Sequence, residues 1–170
     1  MQRKTKNGGF FIFFMSILYN KMSYSCFGGF CRSSPIAPPK VISDITSIEV
    51  ANILSFCKQV VMSDSNYELY KREDYERFLS ADLTNRRKYV KESNDCDDFA
   101  KVLLGEQIKW TSVNETHRSS VFGIAYGIIK GNSHAVNFFI DDNKKIWYVE
   151  PQTDEIFTLS SEDSIYWMYL

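Results

Sequence analysis

The sequence predicts a single α+β domain in which helices precede an antiparallel β-meander. In residues 46–61, 73–80 and 96–104, apolar side chains recur every three to four positions, which is typical of amphipathic helices. Residues 121–159 instead contain short β-branched and aromatic runs separated by turn residues, as expected for hairpin-connected strands. The chain has 170 residues, among them 13 Phe, 10 Tyr and 3 Trp, so it has the length of one domain and enough apolar mass for a core.

The first 40 residues differ in composition from the rest of the chain. Residues 1–40 carry six basic side chains and no acidic one, whereas residues 41–170 carry 14 basic and 21 acidic ones. We therefore assign residues 1–40 to a basic, apolar and then Gly/Pro/Ser-rich leader, and residues 41–170 to one domain. The net charge of −1 lacks the basic excess of nucleic-acid-binding proteins, so no nucleic-acid partner is expected.

A signal-like segment occupies residues 1–21, where an apolar run follows three basic residues. The run is shorter than the about 20 residues that cross a bilayer, so no stable membrane span is expected. Two interpretations stand: the segment directs export, or translation starts at Met22 and the protein stays in the cytoplasm, which is the host cytoplasm if a phage encodes it. The four cysteines lack zinc-ligand spacing and are expected to be reduced, with a Cys26–Cys31 disulfide only after export.

Two helices are predicted in the first half of the domain. Thr46 and Glu49 have the spacing of a capping box, and the apolar positions that follow lie on one helical stripe that includes Cys57. A second helix is predicted over residues 73–80, where apolar and charged side chains alternate with helical spacing.

A third helix is predicted to begin at Cys96. Its apolar residues recur at three and four positions up to Leu104, and Gly105 is either a stop signal or a weak point in the helix. Cys96 would therefore lie at a helix N-terminus, which lowers a thiol pKa and favours the nucleophilic thiolate. The neighbouring carboxylates of Asp97 and Asp98 would oppose that shift, so a histidine is needed to overcome them.

Turn residues divide the second half of the domain into strands. The predicted strands span residues 121–130, 134–141, 146–150 and 155–159.

His134 opens the second of these strands and is the better candidate for a general base, because His117 lies in a polar loop. The following hairpin allows two registers, which place His134 opposite either Glu150 or Gln152. Either acceptor would fix the imidazole tautomer and stabilise the imidazolium. A cysteine at a helix start, a histidine on a strand and a glutamate on the next strand permit nucleophilic acyl transfer.

Spacing alone does not establish this site, because most proteins contain one cysteine, one histidine and one acid. On the alternative interpretation, Cys96 is a buried helix residue, His134 is a satisfied strand residue and Glu150 is a solvated charge. Asp97 and Asp98 are then acids of the first helical turn, which the helix dipole favours.

Four separated motifs nevertheless occur in an order that resembles one known family. They are NDCDDFA at residues 94–100, FGIAYG at 122–127, SHAVNFFID at 133–141 and IWYVEPQTDEI at 146–156. These motifs are similar to the papain-like domain of the agglutinin C-terminal family, which includes the Marasmius mushroom agglutinin and stand-alone phage and bacterial proteins. The resemblance implies an α+β fold of the papain-like or transglutaminase-like type.

The resemblance also implies a cysteine-dependent hydrolase that cleaves peptide or amide bonds in a peptide or protein substrate. In this papain-like peptidase, Cys96 would be the nucleophile, His134 the general base and Glu150 the orienting acid. The supporting residues would be Asn94, Asn137 and Gln152. Two alternatives remain open: a non-catalytic phage or host accessory or binding protein that retains the fold, and a transglutaminase-type acyl transfer in which an amine replaces water.

The chemistry itself requires no cofactor, but the resemblance implies calcium. Asp97 and Asp98 are the predicted ligands, because carboxylates supply the hard oxygen atoms that calcium prefers. The Marasmius agglutinin carries a carbohydrate-binding β-trefoil before this domain, and 40 residues of leader are too short to form one. The sequence therefore predicts no carbohydrate-binding domain.

Overall fold

A computed structural model describes residues 36–112 and 118–170. The leader up to residue 35, with Cys26 and Cys31, lies outside the described residues, as does His117. The start site, export and the disulfide therefore stay predictions. No helix within the described ranges is long and apolar enough to cross a membrane.

The described residues form eight strands, three α-helices and one 3₁₀ turn. Six strands make one sheet in the order β2-β8-β4-β5-β6-β7, and β1 pairs with β3 in a separate two-stranded sheet. The elements are β1 (Ser43–Thr46), α1 (Ser47–Ile53), β2 (Val60–Val61), β3 (Asn66–Leu69), α2 (Arg72–Ala81), the 3₁₀ turn (Thr84–Arg86), α3 (Cys96–Thr111), β4 (Phe122–Ile129), β5 (Asn132–Ile140), β6 (Ile146–Glu150), β7 (Glu155–Phe157) and β8 (Ser164–Tyr169).

The predicted fold class, an α+β papain-like or transglutaminase-like domain with N-terminal helices before an antiparallel meander, is wrong. The described chain is mostly β-sheet with few helices, and β1, β2 and β3 alternate with the first helices. The six-stranded sheet is mixed, because β2 pairs with β8 in parallel. No predicted strand corresponds to β8, which lies between β2 and β4, and the two residues of β2 are too few to show a periodicity.

The predicted capping box is present at the start of α1. Glu49 N donates to Thr46 Oγ1 at 3.3 Å, and Thr46 N donates to the Glu49 carboxylate at 3.0 Å. The hydrogen bonds that Thr46 N and Thr46 Oγ1 donate to the Glu49 carboxylate, together with Lys144, lower the pKa of Glu49 to about 2. The helix ends at Ile53, earlier than predicted, and Cys57 lies beyond it as a buried core residue.

Helix α3 begins at Cys96 as predicted but continues through Gly105 to Thr111. A glycine inside a helix costs about 1 kcal/mol relative to alanine. Buried side chains on both sides of it, including Leu103 and Trp110, pack into the core and outweigh that cost.

The sheet separates two packing layers, and alternation along β5 assigns residues to each. Val136 and Phe138 point into the larger core, which also contains residues of α1. Ala135 points to the opposite face, where it packs with Ala100 of α3. Residues of β5 with even numbers therefore face away from α3, and those with odd numbers face towards it.

Candidate functional site

His134 and Glu150 are in direct contact at one end of the sheet. His134 Nε2 lies 2.6 Å from Glu150 Oε2, and the two side chains are 23% and 18% exposed. Gln152 N donates to the other carboxylate oxygen at 3.2 Å. Burial would raise the pKa of Glu150, but the hydrogen bond and charge of His134, together with the Gln152 amide, hold that pKa below its usual value.

The strand register explains why Glu150 is the partner. Asn137 pairs with Val149, which corresponds to the second predicted register and would continue to place Gln152 opposite His134. Regular pairing between β5 and β6 stops at Asn137, and β6 ends at Glu150, where the chain turns. The imidazole therefore contacts Glu150 diagonally, and Gln152 contributes its backbone amide.

Cys96 lies with a different set of residues. It packs against the small cluster of Ala100, Ile124 and Ala135, on the α3 side of the sheet. His134 pairs with Gly127 and, by strand alternation, shares the opposite face with Val136. No hydrogen bond joins Cys96 to His134 in the described part of the chain. The structure therefore brings together two of the three predicted catalytic residues.

An acidic cluster surrounds Cys96. One donor atom each from Asp95, Cys96 and Asp97 lies within 4.8 Å of the other two. The hydrogen bond between the Asp95 and Asp97 carboxyl groups raises the pKa of Asp95, and the same bond together with one from Lys101 lowers the pKa of Asp97. Lys101 forms an ion pair with Asp97 and lies 3.5 Å from Asp98, so a calcium ion there would compete with an ammonium group. The calcium site at Asp97 and Asp98 stays a prediction.

Two of the predicted supporting residues hold the backbone in place. Asn94 accepts a 2.9 Å hydrogen bond from Arg87 and closes the loop before α3. Asn137 is fully buried and donates to Ala100 O at 3.0 Å and to Gly123 O at 3.1 Å, which ties α3 to the sheet.

A cavity of about 200 Å³ adjoins the His134–Glu150 contact, and we call it the His134–Glu150 pocket. Phe157 of β7 provides an aromatic wall, and Lys130 Nζ lies 5.3 Å from the centre of its ring. The pocket thus combines acceptors, donors and one apolar surface. Its lining residues are Ile129, Lys130, Asn132, His134, Glu150 and Phe157.

Two of these lining residues, His134 and Glu150, were predicted from the sequence, and the other four were not. The sequence contains a signal for some of these four residues. The tight β4–β5 hairpin pairs Ile129 with Asn132 and leaves Lys130 in its turn, a few positions before His134. Phe157 is brought in only by the pairing of β7 with β6.

Comparison with known proteins identifies relatives of this architecture. The family model described as agglutinin C-terminal matches residues 67–156. No curated protein matches the sequence. PSL1a in its complex with E64 is similar in structure, with a TM-score of 0.67 and 23% identity, over 75% of this chain and 51% of that one.

A second similar structure is the Polyporus squamosus lectin bound to the human-type influenza-binding epitope Neu5Aca2-6Galb1-4GlcNAc. It has a TM-score of 0.63 and 22% identity, over 75% of this chain and 49% of that one. This chain therefore spans about half the length of the solved chains that it matches.

These findings correct the predicted function. A lectin with a bound carbohydrate epitope shares the fold, which favours the binding alternative over a cysteine hydrolase, protease or papain-like peptidase. The partner prediction, a peptide or protein substrate and no carbohydrate-binding domain, is corrected on the same finding.

Proposed function

Because this chain belongs to the agglutinin C-terminal family, we propose that it is a non-catalytic binding domain that retains the family fold and takes a carbohydrate in the His134–Glu150 pocket. The observation that carries the proposal is the half-buried His134–Glu150 contact beside the ring of Phe157. It places a hydrogen-bonding pair and an apolar surface around one cavity.

The lining side chains suit the hydroxyl groups of a sugar. Glu150 offers carboxylate acceptors, the Asn132 amide both donates and accepts, and the Lys130 ammonium group donates. The Phe157 ring offers an apolar surface to the C–H face of a sugar ring. At about 200 Å³ the pocket is smaller than the roughly 300 to 1,000 Å³ of typical drug-sized sites, so it fits a terminal sugar unit.

Two further features support a carbohydrate. The epitope bound to the Polyporus squamosus lectin supplies a concrete first ligand to test on this chain. That epitope ends in a sialic acid, whose carboxylate would find a cation in Lys130. Lys130 lies 3.4 Å from Glu155 in an exposed ion pair, which a ligand can displace at little cost.

The test is calorimetric titration of the full chain with the sialylated trisaccharide and with its asialo form. We expect Glu150→Gln to weaken binding roughly 10-fold or more, because a hydrogen bond to a charged group contributes about 1.5 to 3 kcal/mol. Cys96→Ala is the matched control, and it should bind within about twofold of the wild type because Cys96 packs on the other face of the sheet.

Two results would overturn the proposal. One is that neither these trisaccharides nor any sugar of a wider glycan panel binds the wild-type chain. The other is hydrolysis of a peptide or amide substrate that depends on both Cys96 and His134, since that would show the two residues acting together.

A further inference from the structure

A separate cavity lies between the C-terminal half of α3 and the end of β8, and we call it the Gln107 pocket. Its volume is about 210 Å³, and it shares no lining residue with the His134–Glu150 pocket. Leu104, Ile108 and Phe122 provide apolar walls, and several serine and threonine side chains line the rim. The fold therefore offers a ligand a place that the site described above does not use.

The buried side chain of Gln107 leaves one hydrogen-bond acceptor unused. Gln107 is 2% exposed, and its Nε2 donates to Ser120 Oγ at 2.7 Å, which fixes the plane of the amide group. Within the described residues no hydrogen bond reaches Gln107 Oε1, although buried amide oxygens nearly always have a partner. Because Gln107 lines the cavity, this oxygen can accept from a ligand that brings an N–H or O–H group.

The charged groups around the Gln107 pocket favour a neutral ligand. Arg118 belongs to the lining, and its guanidinium group forms a 3.2 Å ion pair with Asp44. Nearby, the Asp64 carboxylate accepts from Ser119 Oγ at 2.7 Å, and the C-terminal end of α3 carries a negative partial charge. An anion would meet these negative charges and a cation would meet the guanidinium group, so an uncharged donor suits the Gln107 acceptor best.

Aromatic rings extend the apolar surface at the mouth of the pocket. Tyr169 belongs to the lining and is 38% exposed, and its ring stacks on that of Trp167, with centroids 6.2 Å apart and an interplanar angle of 9°. Trp167 in turn meets the ring of Tyr126 edge to face, at 5.1 Å. Exposed rings of this kind offer an apolar surface to the C–H face of a sugar ring.

We propose that the Gln107 pocket is a second ligand site, which binds the acetamido group of an uncharged N-acetylated sugar. A secondary amide offers its N–H group to Gln107 Oε1 and its carbonyl oxygen to the second hydrogen of Nε2. The acetamido methyl group packs against Ile108 and Phe122, and the sugar ring lies against Tyr169. A hexose without the acetamido group lacks both the amide and the methyl group, so it should bind more weakly.

The two pockets lie at opposite ends of one strand. Strand β4 runs from Phe122, which lines the Gln107 pocket, to Ile129, which lines the His134–Glu150 pocket. At about 3.4 Å per residue, these two residues are roughly 24 Å apart. Bridging of two glycans by one chain follows if both pockets are occupied, and that consequence, unlike binding at the Gln107 pocket, rests on the proposed function.

The experiment is a titration of the full chain with N-acetylglucosamine, followed by heteronuclear NMR of the backbone amides. We expect the signals of Gln107 and Ser120 to shift, and glucose to bind roughly 10-fold more weakly or less. Gln107→Leu should likewise weaken binding of N-acetylglucosamine roughly 10-fold or more, because it removes the acceptor. Gln59→Leu, which replaces an exposed glutamine outside the pocket, is the matched control and should bind like the wild type.

A second pair of variants keeps the test decisive if Gln107→Leu fails to fold, and circular dichroism reports folding of each variant. Tyr169→Ala should weaken binding roughly fivefold, whereas Tyr169→Phe keeps the ring and should bind like the wild type. N-acetylalanine methylamide, which carries the same acetamido group without a sugar ring, should bind more weakly than N-acetylglucosamine.

Four results would overturn the proposal. They are the absence of shifts at Gln107 and Ser120, equal binding of glucose, tighter binding of N-acetylalanine methylamide, and unchanged binding in folded Gln107→Leu or Tyr169→Ala. Shifts confined to Lys130 and Glu150 are an instance of the first result, and they would count against this site while supporting a carbohydrate in the His134–Glu150 pocket.

Discussion

The His134 imidazole and the Glu150 carboxylate form a 2.6 Å contact on the face of the sheet that points away from α3. This contact forms although β5 and β6 do not pair regularly at these residues. Cys96, the third residue of the predicted triad, packs with Ala135 on the other face. A ligand can therefore contact the half-buried pair without contacting the Cys96 thiol.

Replacing Glu150 by Gln should make the stability of the protein respond differently to pH. The folded-state pKa of Glu150 lies below its ordinary value of 4.5, so its stabilising contribution is fully present above pH 4.5 and is lost as the pH falls through the folded pKa. At pH 7 we expect Glu150→Gln to cost about 1.5 to 3 kcal/mol of unfolding free energy. Urea denaturation between pH 7 and 3 should show that the difference in unfolding free energy between the wild type and the variant shrinks below pH 4.5. A difference that does not change with pH would contradict the lowered pKa of Glu150.

Replacing Gly127 by Ala should destabilise the sheet beside the candidate site. A Cβ atom at this position would lie 2.2 Å from Ser164 O and 2.7 Å from Ile165 Cδ1, so β8 must move away from β4. Overpacking of this kind costs about 1 to 3 kcal/mol. Gly105→Ala is the control: its Cβ would meet nothing within 4 Å, so it should instead raise stability by about 0.5 to 1 kcal/mol. Chemical denaturation distinguishes the two signs.

Replacing Asn137 by Ala should loosen α3 from the sheet. The change removes the hydrogen bonds to Ala100 O and Gly123 O inside a fully buried layer and leaves a small cavity. We expect a loss of about 2 to 4 kcal/mol, together with faster hydrogen exchange at the start of α3. Unchanged exchange in α3 would show that Asn137 is not the tie between the helix and the sheet.

Replacing Thr46 by Ala should remove the N-cap of α1 at a cost of about 0.5 to 2 kcal/mol. Thr46→Ser keeps the hydroxyl group that accepts from Glu49 N and should retain most of the stability. A melting temperature for the alanine variant equal to that of the serine variant would mean that packing of Val50 alone holds the helix.

The features that could be read from the sequence are those with local signals. The capping box at Thr46, the helix that begins at Cys96 and the strand at residues 146–150 all depend on residues within a few positions of one another. The hairpin between β5 and β6 was restricted to two registers by its turn, and the structure has one of them. Short-range spacing is sufficient for such elements, because their hydrogen bonds and apolar stripes lie within one segment of the chain.

Tertiary structure decided everything that depends on distant segments meeting. The position of β8 between β2 and β4 makes the sheet mixed, and no local pattern specifies that order. The face that α3 covers determines that Cys96 meets Ala135. The end of regular pairing between β5 and β6 determines that His134 meets Glu150. The contact between Asn85 and Asp154 likewise forms only when two segments 69 residues apart fold together, so only the folded chain shows it.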